Sequence, residues 1–467
     1  MSARSFSLPS TRQWRAAVLV LAGTGAVLAL SSGAARADVS PHTRTSVAAG
    51  GTATSWGSVT QCAGCHRAHT GQASMLLRTA AAPSLKSPTT TLCLTCHDGT
   101  GATLDVAADF TKATPNDPAT RSYYQHDVTA VTGHTLGSDD EFGGVFERHS
   151  ECTDCHDPHD ASAVPSVSNP TTEPWTASGR IIGTSGVRVT NGGAGSTPAY
   201  QFVNGTSATI TAEYQLCLKC HSGYTKLLPD IPGRPSMDML DAGMEFNPAN
   251  SSYHPVEAPG RNATTAMANS LEGGSKYKLW TFTTTSTVRC TSCHSGAIAD
   301  PPNSGVTAGS SLATHSSTYR GILVQNYEDR VLTATGLGFD ESNFALCFLC
   351  HSDSPFISAD RSATNFSLHQ LHAAQIGSSS SGVPGTIDTP GAGQGNALCA
   401  ECHFRPHSTA TDPAQNTGLV AFAPNVTGAG TTTTPTWTSL TPGTGSCTLT
   451  CHGHEHTGSA YIPTGKP

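Results

Sequence analysis

Cys62-Ala63-Gly64-Cys65-His66 is the stretch whose reading decides the fold, and Cys93-Leu94-Thr95-Cys96-His97 repeats it. Two cysteines three positions apart lie on one face of a helical turn. Thiols so placed can add across the two vinyl groups of a haem, and the histidine next in line then binds the iron. The pattern returns at Cys152/Cys155/His156, Cys217/Cys220/His221, Cys290/Cys293/His294, Cys347/Cys350/His351 and Cys399/Cys402/His403. An eighth copy is one residue longer: Cys447-Thr448-Leu449-Thr450-Cys451-His452. Together the copies use all 16 cysteines, leaving none for a disulfide.

Zinc sites and redox dithiols share the C-x-x-C spacing, and an exported chain this rich in cysteine could be a disulfide scaffold. None of these explains a histidine after the second cysteine in every copy. Eight covalently attached haems c, each with its iron, are the expected cofactors.

Residues 1–37 read as a signal peptide. Arg4, Arg12 and Arg15 precede an apolar run from Ala16 to Leu30, and Ala35-Arg36-Ala37 fits a cleavage site. The run falls short of the roughly 20 residues a membrane span needs. Export is therefore expected, to the cell exterior, the cell surface or the periplasm, with no membrane span in the mature chain. The leader carries four arginines and no acid, so removing it leaves 21 basic against 33 acidic residues, a net −12. No basic cluster marks a nucleic-acid face.

Charged residues make up 12% of the chain, about half the usual share, and long stretches are rich in Ser, Thr, Gly and Pro. The expected fold is mostly irregular coil with short helices and a few short strands, wrapped around a chain of eight haems, with little conventional core. Burial of the apolar porphyrins takes the place of side-chain packing. Thr190-Asn191-Gly192-Gly193, between Val187/Val189 and Tyr200/Phe202/Ile210, predicts a small hairpin.

The motifs come in pairs, which suggests four dihaem repeats at 38–112, 113–245, 246–360 and 361–467. A further histidine lies upstream of each pair: His42, His126, His254 and His372. Another follows closely behind the first motif of three pairs: His69, His159 and His407. Of 21 histidines, eight sit in the motifs and thirteen remain for eight open axial positions. The candidate second ligands are those seven and His315, which stands in for the missing near histidine of the third pair. His134 is the closest rival; His149, His369, His454 and His456 rank lower. His69 cannot reach round the porphyrin to the iron of His66, so as a ligand it would serve another haem. The few methionines do not follow the repeat and are expected to be fillers against haem faces.

The segments CAGCHRAHTG, LCLTCHDGTGA, ECTDCHDPHDAS, SYHPV and LCLKCHSG resemble multihaem c-type cytochromes of the doubled C-x-x-C-H family. The resemblance implies haems packed edge to edge, two-histidine ligation and electron transfer outside the cytoplasm, in some members along extracellular filaments. Two departures stand out, the missing histidine behind His294 and the stretched eighth motif. The expected partners are other redox proteins or extracellular acceptors, and the chain itself as a head-to-tail polymer built through His42. The expected role is an electron conduit with no catalytic residues. The competing reading is an octahaem oxidoreductase of the nitrite, hydroxylamine or tetrathionate type, which needs one iron with an open position.

Overall fold

The computed structural model describes residues 42, 65–66, 69, 88–100, 102, 105–110, 124–126, 128, 150–162, 174–205, 209–225, 241–298, 313–327, 341–357, 363–364, 366, 368–369, 372, 398–408, 418–441, 444–451 and 454–461. The leader at 1–37, Cys62, His134, His149 and His452 lie outside the described residues.

Six motifs close the same local structure. The histidine N–H donates to the carbonyl of the first cysteine at 3.0 Å (His97 to Cys93), 2.9 Å (His156 to Cys152 and His221 to Cys217), 2.8 Å (His294 to Cys290 and His403 to Cys399) and 3.0 Å (His351 to Cys347). This is one α-helical hydrogen bond, and it sets both thiols on one side of the turn. Three of the turns carry a polar residue just before the second cysteine that reaches back to the start. Asp154 accepts from the Glu151 N–H at 2.7 Å, Ser292 from Arg289 at 3.2 Å and Glu401 from Leu398 at 2.9 Å. Each link satisfies a backbone donor that a helix start would leave unpaired. A single turn without such a link is a poor helix on its own, because nucleation is unfavourable.

The rest of the described chain is mostly irregular, with short helices and seven strands. Strand β1 (Tyr124–Gln125) pairs antiparallel with β4 (Ser316–Ser317). The hairpin predicted near residue 190 is present: β2 (Gly186–Thr190) faces β3 (Ala199–Val203), with Val187 opposite Phe202 and Val189 opposite Tyr200. Its connection is longer than a two-residue turn. The Asn247 side chain donates to the carbonyls of Gly192 and Gly193 and so pins the loop. Ile210 lies beyond β3 and packs with Ala177 and Leu216. The third sheet is β5 (Thr436–Thr441), β6 (Thr444–Cys451) and β7 (His454–Tyr461), antiparallel in that order.

Apolar side chains gather in three small clusters, each at the motifs. Trp175, Trp280, Phe282 and Leu349 pack beside Cys350. Tyr277, Phe344 and Phe348 pack beside Cys347 and Cys399. Ile210 and Leu216 pack beside Cys155. No conventional core joins them among the described residues. No helix among them is long and apolar enough to cross a membrane.

Candidate haem-binding site

The motif turns are laced to one another in chain order. The Thr89 hydroxyl, in the helix of the second motif, donates to Glu151, which precedes the third motif, at 3.2 Å. Lys219 lies inside the fourth motif, 1% exposed, and donates to the Asp154 carbonyl inside the third at 2.7 Å. Glu213, at the start of the fourth motif's helix, accepts from the backbone N–H of Thr291 in the fifth at 3.1 Å and from its hydroxyl at 2.9 Å. Arg289 stacks over Trp175 at 4.9 Å beside that contact.

The thiols follow the same order. Cys93 and Cys152 lie close enough to shift each other's titration, and Cys290 raises that of Cys217. Cys65 lies within electrostatic reach of Cys93, Cys155 of Cys220, Cys293 of Cys347, Cys347 of Cys399, and Cys402 of both Cys451 and Cys447. Each motif thus neighbours the next in sequence, from the first to the eighth. The described cysteines are free thiols, not disulfides. Burial pushes those of Cys155 and Cys293 up to about 12, which concerns the chain before attachment consumes the thiol.

The histidines meet in pairs drawn from distant parts of the chain. Ring centres are 6.2 Å apart for His66 and His159, 6.1 Å for His97 and His42, and 6.2 Å for His156 and His315. They are 6.2 Å apart for His221 and His126, and 6.0 Å for His294 and His407. A metal binds an imidazole nitrogen at about 2.0–2.1 Å and the ring centre lies about 1.1 Å further, so two imidazoles on opposite faces of one iron have centres about 6.3 Å apart. The observed pairs match that separation. His351 has His254 as its strongest electrostatic neighbour, and His369 has His403. His372 faces His456 at 6.4 Å. His69 is exposed in a turn and enters no such pair among the described residues. His369 and His456 ranked low in the sequence, where no repeat marks them.

In eight of these rings the second nitrogen is committed elsewhere. Nδ1 donates to the carbonyl of Arg180 in His156 (2.9 Å), of Gly321 in His294 (2.8 Å) and of Leu419 in His403 (2.9 Å). In His126 it donates to the Thr314 carbonyl at 2.7 Å, in His372 to that of Leu368 at 2.9 Å, and in His254 to that of Pro406. His407 and His315 use carboxylates instead, Glu245 at 3.0 Å and Asp109 at 3.3 Å. A proton held on Nδ1 leaves the Nε2 lone pair for a metal, the usual arrangement around a ligating histidine. Burial disfavours the charged form of three of the paired rings: it lowers His294 to about 4, with His407 adding, and His351 and His369 to about 3. Glu245 acts the other way on His407 and raises it. The residues therefore fit haem: two imidazoles and neighbouring thiols per site. Among the described residues no group of three or more His, Cys, Asp or Glu is placed to hold a bare metal ion.

A family model for the doubled CXXCH motif matches residues 57–102, the first two motifs. No curated protein and no solved structure matches the chain. The match indicates covalently bound haem c and a multihaem c-type cytochrome that transfers electrons.

Proposed function

We propose that the chain is an exported octahaem cytochrome that conducts electrons along bis-histidine haems held in sequence order. The observation that carries this is the set of histidine pairs at 6.0–6.2 Å, each joining a motif histidine to a ring from elsewhere in the chain. Haem c, when bound, supplies a one-electron ferric/ferrous couple. The chain's own residues fix the rest. Cysteine pairs would hold haem c covalently, and His66, His97, His156, His221, His294, His351 and His403 would each bind its iron. His159, His42, His315, His126, His407, His254 and His369 would supply the second imidazole. The proximity of Cys93 to Cys152 and of Cys217 to Cys290 would place the haems they hold next to one another. Carbonyls and carboxylates on Nδ1 keep the rings oriented through a change of iron charge.

Two imidazoles on each iron leave no position for a substrate, which favours a conduit over an octahaem oxidoreductase. Release outside the cytoplasm and transfer to redox proteins or extracellular acceptors rest on the leader and on the resemblance. A polymer of this chain would be held by surface contacts, because His42 lies against His97 of its own chain. The decisive experiment joins intact mass to the visible and electron paramagnetic resonance (EPR) spectra of the secreted protein. Eight haems, all low-spin and reducible, are expected. A high-spin haem that binds nitrite or cyanide would replace the conduit with the enzyme.

A further inference from the structure

The eighth motif does not form the turn that six of the others form. Cys447 and Cys451 lie on strand β6, paired with β7 in the register Leu449 opposite His456 and Cys451 opposite His454. Cysteines four apart on a strand are separated by about 13 Å along it, well beyond one helical turn. The register shifts between Cys447 and Thr448 because β7 carries one extra residue, Gly458, at φ +71°. That is a conformation glycine adopts without strain, and it makes a bulge that leaves β6 regular. Cys447, Leu449 and Cys451 therefore share one face. Directly opposite residues of an antiparallel pair share a face too, so His456 joins them. The rule that the histidine after the second cysteine meets the iron belongs to the helical turn. Cys447 and Cys451, both on β6, do not make that turn.

His456 faces His372 with ring centres 6.4 Å apart, close to the separation in the five motif pairs. His372 is held by its Nδ1 contact to Leu368 and by Phe366, whose ring centre is 5.5 Å from it. Phe366 in turn stands edge-on to Trp437, the residue opposite Cys447 on β5. We infer that the eighth haem is bound on this β-hairpin through a thioether to one of the two cysteines, which β6 holds too far apart to share one porphyrin's vinyl groups, with His456 and His372 as its imidazole ligands in place of His452. The inference rests on the octahaem reading and deepens it at this one site.

The test uses full-length secreted protein, wild type and the variants His456→Ala, His456→Met and His452→Ala, read by intact mass and EPR. Wild type is expected to carry eight low-spin haems. His456→Ala is expected to keep the eighth haem and convert one haem per chain to high-spin. His456→Met is expected to give one His/Met haem at raised potential, which decides the matter if His456→Ala loses its haem. His452→Ala is expected to change no spin state, whether it carries eight haems or, through failed attachment, seven. Eight haems with unchanged ligation in both His456 variants, or a high-spin haem in His452→Ala, would overturn the inference alone. Seven haems in wild type would overturn it together with the octahaem count.

Discussion

The imidazoles of His66 and His159 lie 6.2 Å apart with planes 9° from parallel, although one is in the first motif and the other follows the third. The rings of His156 and His315, at the same separation, are turned by 73°. Parallel rings donate into one of the two iron dπ orbitals and split them; crossed rings leave them nearly degenerate. The first haem should therefore give an ordinary rhombic low-spin EPR signal and the third a strongly anisotropic one. His159→Ala should remove one rhombic signal and add one high-spin haem per chain. Loss of an anisotropic signal instead would contradict this pairing.

Glu245 beside His407 should set the potential of the fifth haem. The carboxylate accepts from Nδ1 at 3.0 Å and gives the ring imidazolate character, which favours ferric iron. Glu245→Gln keeps an acceptor and removes the charge. The charged bond exceeds the neutral one by about 1 kcal/mol, or roughly 40 mV for one electron. Spectroelectrochemical titration should find one of the haems raised by about that amount, with the others unmoved.

A second carboxylate acts on stability. Glu257 accepts from Asn191 at 2.7 Å, and burial raises it to about 7, with Asp241 adding. The folded chain thus binds a proton that the unfolded chain releases near pH 4.5. Its stabilising contribution is whole below that pH and is lost as pH rises towards 7. Glu257→Gln should raise Tm at pH 8, by about 1–3 kcal/mol of stability, and change little at pH 4. An equal effect at both would refute the assignment.

Much of this was legible in sequence because short-range chemistry dictates it. A histidine after C-x-x-C calls for one helical turn, and six motifs close it with the same hydrogen bond. Low charge and scattered Gly, Pro, Ser and Thr predicted coil, and the alternation around Val187 and Tyr200 predicted a hairpin. What no local pattern carries is which ring meets which. His159 faces His66, His315 faces His156 and His407 faces His294, so each serves a motif two places back. That rule exists only in three dimensions. His456 ranks low in the sequence because no repeat marks it, and only the strand register brings it beside Leu449.

His42 tests whether a subunit is complete by itself. A residue close to the expected mature terminus could supply a ligand to its own chain or to a neighbour, and the second choice would make an open head-to-tail polymer. The ring instead lies 6.1 Å from that of His97, and its neighbours include Pro158 and His159 of the same chain. The second haem then draws both ligands from one subunit and needs no partner to be low-spin. His42→Ala should convert one haem per chain to high-spin at every protein concentration, with sedimentation the same as that of wild type. If instead wild type is high-spin at that haem when dilute and becomes low-spin as it assembles, the ligand comes from a neighbour. The junction would then be an iron–histidine bond between subunits.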